Sequence, residues 1–316
     1  MASLFTVQQL PKTSQEAIRE FNERYLAVIS AAQPLGWADR FILGVDSPYV
    51  TFPIALMSTK FQETKEQTSR FKTMAEKEFD LKVVEFDAGY EAKMLDLATK
   101  TFAYRNWTLA PSRLDIAKRR HVAKQLATLL EDTAQTSPWD GELFFDTDHK
   151  ANPKGAAVAA NQWSNLQSVA AAPTVANIQI EATAMRGVKD ENGDKLGVEP
   201  DEIWLPTEKF QGVSDLLNQN LINNGETNPI YGKYKAVHVP DLTDVNDWYL
   251  VDSKLITAGV DPMVAAEYLP AADLGLRSWD ESSDFFKDTG KIKISQHIWT
   301  GFKLVFPHAI RKVVGA

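Results

Sequence analysis

Between two runs of strand-forming residues, 49–57 and 79–86, the chain carries twenty residues, 58–77, whose only large apolar side chains are Phe61, Phe71 and Met74. Lys60, Glu63, Lys65, Glu66, Arg70 and Lys72 supply charge throughout the stretch. Fixing the backbone of each residue costs about 1–2 kcal/mol of entropy, which so few apolar groups cannot offset by packing on one another. Strand, long polar excursion, strand therefore predicts an extended hairpin: a flap that projects from a body and is ordered only when another surface holds it. Pro53 lacks a ladder N–H, which puts the first run at an edge or a bulge.

The flanking sequence supplies the body. Thr13-Ser14-Gln15-Glu16 fits a capping box, and Ile18, Phe21, Tyr25, Val28 and Ile29 follow at helical spacing. A helix is predicted over residues 14–32, ended by Pro34 and Gly36. Tyr90, Met94, Leu97, Ala98 and Phe102 suggest a second helix, interrupted by Pro111. From Ser112 a third runs to about residue 134 with Val122, Leu126, Leu129 and Leu130 on one face. Residues 151–172 read as a loop or short helix. Further on come a helix over 174–186, a turn at 190–194, a strand at 202–205 stopped by Pro206, and a helix over 208–218. Strands follow at 234–239, 248–251, 291–294, 298–306 and 309–314. The class is α+β with mostly antiparallel strands, lacking the alternation of a doubly wound sheet.

Little in the sequence points to catalysis. The 316 residues include no cysteine, which rules out disulfides and thiolate chemistry. Glycine spacing matches no phosphate cradle. Asp146-Thr147-Asp148-His149 is the best candidate for a divalent ion, and a metal-dependent hydrolase using Asp146, Asp148 and His149 is the reading from another class. A turn whose side chains bond the local backbone is the commoner outcome for such a run. Asp190, Asn192 and Asp194 begin like a calcium loop, but Lys195 stands where that loop needs glycine. His121, His238, His297 and His308 are scattered. No catalytic, cofactor or metal site is predicted.

Charge divides the chain. Residues 1–135 hold 18 basic and 17 acidic side chains, and residues 136–316 hold 16 and 25, for −8 overall. The acidic half repels nucleic-acid phosphates. Arg113, Lys118, Arg119, Arg120 and Lys124 form the one basic cluster, against Asp115. It reads as a solvated or salt-bridged helix face, or as a face that pairs with an acidic neighbour or packaged nucleic acid. No stretch approaches the roughly 18 apolar residues of a membrane helix, and residues 1–12 lack a secretory pattern, so a soluble, cytoplasmically made protein is expected.

Three segments in order resemble the major head (capsid) protein family of Mu-like tailed phages. The first is Trp139-Asp140-Gly141-Glu142-Leu143-Phe144-Phe145-Asp146-Thr147-Asp148-His149. The second runs from Met185-Arg186 through the turn at 190–194 to Leu196-Gly197-Val198-Glu199-Pro200 and the strand ending at Pro206. The third joins Leu216-Leu217-Asn218 to the Pro240-Asp241-Leu242-Thr243-Asp244 and Trp248-Tyr249-Leu250 block. The resemblance covers about residues 139–250, and the first 135 residues match by layout only.

The resemblance implies the Hong Kong 97 phage capsid fold. On that map residues 1–45 are an N-terminal arm with its helix and 46–86 the extended loop. Residues 87–141 are the peripheral domain with its spine helix, 142–284 the axial domain, and 285–316 strands returning to the peripheral domain. It further implies a structural protein rather than an enzyme, without cofactor or membrane. Copies would assemble in the host cytoplasm as hexamers and pentamers into the icosahedral shell of a virion, around double-stranded DNA held without sequence-specific contacts. Scaffold, portal and decoration proteins are the implied partners, and Lys60, Phe61, Phe71, Lys72 and Met74 the expected subunit contacts. A nanocompartment shell of the same fold is the alternative.

Overall fold

A single 14-residue strand, Lys291–Leu304, has neighbours along both edges. Along one edge it pairs antiparallel with Val84–Lys93 over ten residues, from Lys291↔Lys93 to Thr300↔Val84. The other edge is shared by Leu276–Trp279 and Met263–Tyr268, and Ile42–Val45 adds a parallel strand beyond the latter. The computed structural model describes residues 11–31, 36–55, 75–152, 161–222, 225–268 and 275–316. Within them a second five-stranded sheet runs Lys235–His238, Glu202–Leu205, Trp248–Val251, Ile310–Val313, Leu166–Gln167. The chain passes from the first sheet to the second through one 3-10 turn, Pro307–Ala309.

The two sheets are tied together by the helix Thr101–Glu131, 31 residues long. Its first half buries Tyr104, Trp107, Ala110, Pro111 and Leu114 against the first sheet and the helix Ser14–Ala31. There the Trp107 indole donates to the Ala17 carbonyl at 3.0 Å and its ring lies 5.3 Å from that of Phe21. Its second half sinks Val122, Leu126, Ala127 and Leu130 into a cluster with Trp204, Tyr249, Val251 and Ile310 of the second sheet. Between the halves, half-buried charged residues are paired: Lys118 with the buried Glu267, and Arg119 with Asp115 at 3.2 Å and Asp39 at 3.8 Å. Three of the five cations in the sequence's basic cluster (Arg113, Arg120, Lys124) remain exposed.

Three expectations are corrected. Pro111 does not interrupt the helix, which starts ten residues before it. Proline removes one i→i−4 bond, but Pro111 is itself buried among Trp107, Ala110 and Leu114, and tertiary packing outweighs that loss. Tyr90 belongs to the strand Val84–Lys93, and only Met94–Thr99 forms the short helix read there. The segments read as strands at 291–294 and 298–306 are one strand, because Ser295, Gln296 and His297 pair with Gly89, Ala88 and Asp87. Of residues 151–172, Gln162–Trp163 and Leu166–Gln167 are short strands. The capping box forms: Thr13 Oγ1 accepts from the Glu16 N–H at 3.2 Å, and the Glu16 carboxylate accepts from the Lys12 N–H at 2.8 Å.

Tyr49–Ala55 and Ala75–Lys82 pair antiparallel, with Tyr49 opposite Lys82 and Ile54 opposite Lys77. Ile54, Phe79, Leu81 and Val83 root this ribbon in a cluster with Trp139, Ala266 and Val305. Residues 56–74, and with them Lys60, Phe61, Phe71, Lys72 and Met74, lie outside the described residues.

Because one helix serves both sheets, a cavity at either end should weaken the whole body. Trp107→Ala and Leu126→Ala should each lower stability by about 2–5 kcal/mol. Each should shift a single unfolding transition seen by both circular dichroism and tryptophan fluorescence. Two separate transitions in either variant would contradict the shared spine.

Candidate functional site

The sequence's best chemical cluster is a buried clasp. The bend at residues 139–149 brings the Asp140 carboxylate to 2.8 Å from His149 Nδ1, with both side chains fully inside. The N–H groups of Lys150 and Glu142 also donate to Asp140, at 3.2 and 3.3 Å. On the other side of the ring, His149 Nε2 lies 3.2 Å from the Phe144 carbonyl and 3.1 Å from Asn165 Oδ1. The Asp146 N–H donates to the same Asn165 oxygen at 2.9 Å, which fixes the amide's orientation. The Asn165 amide nitrogen donates to the carbonyls of Phe144 and Pro307. Both nitrogens of His149 thus face oxygen atoms, Asp140 on one side and Phe144 with Asn165 on the other.

Burial alone would raise the Asp140 carboxyl. The hydrogen bond and charge of His149, with the two backbone donors, hold it below the usual carboxylate range instead. Asp148 goes the other way: hydrogen bonding with the neighbouring Asp146 carboxyl and its negative charge push it up. Asp148 is exposed while His149 faces the core, so the three residues do not converge on a common point. Among the described residues no group of three or more histidine or acidic side chains is placed to hold a metal ion. The Thr147 N–H donates to the Asp146 carboxylate at 2.6 Å, a side-chain bond to the local backbone within this run.

Next to the clasp sits His308, wholly buried. It lies edge-on to Trp139 at 4.9 Å and 4.6 Å from Trp163, which stacks in turn on His149 at 4.7 Å. Neither of its ring nitrogens has a hydrogen-bond partner among the described residues. Desolvation, reinforced by the charge of His149, lowers its pKa to about 3. His308 serves as a neutral aromatic plate.

A second constellation escaped the sequence reading because its members are far apart in the chain. Ser295 Oγ lies 2.8 Å from His297 Nε2, and His297 Nδ1 lies 2.7 Å from Glu85 Oε1. This is the order of groups in a hydrolytic triad. A nucleophile must reach its substrate, however, and Ser295 is 2% exposed. It lies beneath Gly89, where even a Cβ would meet Ser295 Cα and Cβ at 3.0 Å. The chain of bonds instead lets Ser295 and His297 occupy the middle of a central strand and clasps Val84–Lys93 to it through Glu85. Alternation on the strand, which puts Ser295 and His297 on one face, was the signal available in the sequence.

Two predictions follow from the clasp. His149→Ala leaves the Asp140 carboxylate buried without its counter-charge and should cost about 3–5 kcal/mol in urea unfolding. Chelators should change nothing, and loss of stability on chelation, restored by one metal, would overturn the assignment. For His308, the unfolded chain takes up a proton near pH 6.5 whereas the folded state refuses it down to about pH 3. Between those values the unfolded state binds more protons, so stability falls as pH drops, by up to about 1.4 kcal/mol per pH unit from this residue. His308→Phe should remove that component, and parallel pH profiles for variant and parent would refute it.

Comparison with known proteins adds family and fold. A model of a family described as phage capsid protein matches residues 99–313. No curated protein matches the chain. Among solved structures, a chain of the bacteriophage JBD30 procapsid superposes with a TM-score of 0.53 at 13% identity, covering 96% of this chain and 75% of that one. A chain from the capsid of an empty GTA particle gives 0.51 at 14% identity, covering 92% and 90%. One from the capsid of cyanophage P-SCSP1u gives 0.51 at 12% identity, covering 87% and 86%. At these identities the likeness is one of fold, the Hong Kong 97 phage capsid fold, as the resemblance implied.

Proposed function

The chain belongs to the phage capsid protein family, and on that premise we propose that its copies group as hexamers and pentamers and close into an icosahedral virion shell around double-stranded DNA. Building the capsid shell is the function of the family. The finer reading rests on one observation: the ribbon Tyr49–Ala55 with Ala75–Lys82 is rooted in the body by Ile54, Phe79 and Leu81. It leads into a sequence too polar to pack on itself. In this reading residues 58–74 lie on a neighbouring subunit, with Phe61, Phe71 and Met74 as apolar contacts and Lys60 and Lys72 pairing with its carboxylates. Residues 46–86 are then the extended loop, 87–141 with 285–316 the peripheral domain, and 142–284 the axial domain.

The order of motifs over residues 139–250 favours a Mu-like head protein. The 25 acidic against 16 basic side chains of residues 136–316 suit a wall that encloses DNA without gripping it. Assembly would take place in the host cytoplasm with scaffold, portal and decoration proteins. Repeated head-to-tail contacts of this kind produce closed shells or tubes.

The test is to replace residues 58–74 by a short Gly-Ser linker. The isolated subunit should keep its circular dichroism and melting temperature, while electron microscopy shows capsomers or free subunits in place of the parent's shells. Normal closed shells from the variant, or an unfolded subunit, would refute the reading.

A further inference from the structure

The outward side of the first half of the long helix has no partner among the described residues. Phe102, Leu109 and Ile116 are spaced by seven residues and are 75%, 43% and 42% exposed. They lie opposite the buried face formed by Tyr104, Trp107 and Leu114. Arg105, Arg113 and Arg120 are exposed beside them, and none is paired with a carboxylate among the described residues. The one acidic residue in this part of the helix, Asp115, is turned to Arg119. The result is a narrow apolar seam about 21 Å long at 1.5 Å per residue, bordered by positive charge on a chain of net charge −8.

We propose that this seam docks an amphipathic α-helix of another protein, with an apolar side chain every heptad and carboxylates flanking it. A seven-residue repeat drifts slowly around a 3.6-residue helix, so a second helix crossing at a shallow left-handed angle can follow the seam along its length. The arginines set the sign of the flanks by charge complementarity. A second copy of this chain does not supply such a helix from its described residues. Ser14–Ala31 has its apolar face on Trp107 and, among its described side chains, exposes Leu26 as the one large apolar group. Thr207–Asn218 exposes Glu208, Gln211 and Asp215 with no large apolar neighbour, and Val175–Met185 exposes Ile180 with no carboxylate.

The experiment uses the full-length chain as unassembled subunits and three synthetic peptides of three heptads each. One carries leucine along a single seam with glutamate flanks, the second has lysine flanks, and the third has the first peptide's composition with the seam scrambled. Fluorescence anisotropy should show binding of the first peptide alone, weakening about tenfold or more between about 0.1 and about 1 M salt. Leu109→Asp with Ile116→Asp should abolish binding, and Arg113→Glu with Arg120→Glu should shift preference to the lysine-flanked peptide. These positions are exposed, so circular dichroism should remain that of the parent. Equal binding of the scrambled peptide, or binding unchanged by either pair of substitutions, would overturn the proposal. So would loss of self-association in the Leu109→Asp, Ile116→Asp variant, which would make the seam a contact between copies.

Discussion

Everything in this body hangs on one helix that must bury two different faces in succession. At 31 residues it is about 46 Å long and packs against both sheets. Its first half packs on the first sheet, and its second half on the second sheet together with Met263, Ala265 and Leu304 of the first. The switch falls at the half-buried Lys118 and Arg119, each matched to a carboxylate from another element. An unmatched charge there would be expensive, so those pairs fix the rotation at which the helix passes from one sheet to the next. The same geometry leaves the opposite side of the first half uncovered by the described residues.

What could be read from the sequence was mostly local. The Thr13 box, the Thr174 cap and the fully buried strands Glu202–Leu205 and Trp248–Val251 are set by side chains within a few residues of one another. Misreadings occurred where distant partners overrule local preference. Pro111 is a helix breaker in isolation, yet its neighbours Trp107 and Leu114 are anchored by a helix and a sheet from elsewhere in the chain. Tyr90 sits at helical spacing from Met94 and Leu97, yet ten ladder positions along Lys291–Leu304 hold it extended. The polar run Ser295-Gln296-His297 looks like a break between strands until Glu85, more than 200 residues away, is seen to satisfy the histidine.

The candidate site was legible to the same degree. That Asp146 to His149 form a turn follows from short polar side chains bonding nearby backbone. That His149 points inward does not, since it depends on Asn165 and Asp140, and on Trp163 stacking over the ring. His308 carries no pattern at all in the sequence. The broader function was readable only as the order and spacing of weak motifs. A shell protein works through extended surfaces rather than a concentrated set of reactive groups, so no short signature marks it.

The strand Ile310–Val313 lies inside the second sheet, pairing with Trp248–Val251 on one edge and Leu166–Gln167 on the other. It also carries Arg311 to Glu181 and Lys312 to Asp247, both buried ion pairs. A chain that lacks this strand is left with an open sheet edge and two buried carboxylates, Glu181 and Asp247, without their cationic partners. Leaving such a charge buried and unpaired costs about 3–5 kcal/mol, so the second sheet closes only when strands far apart in the sequence have all come together.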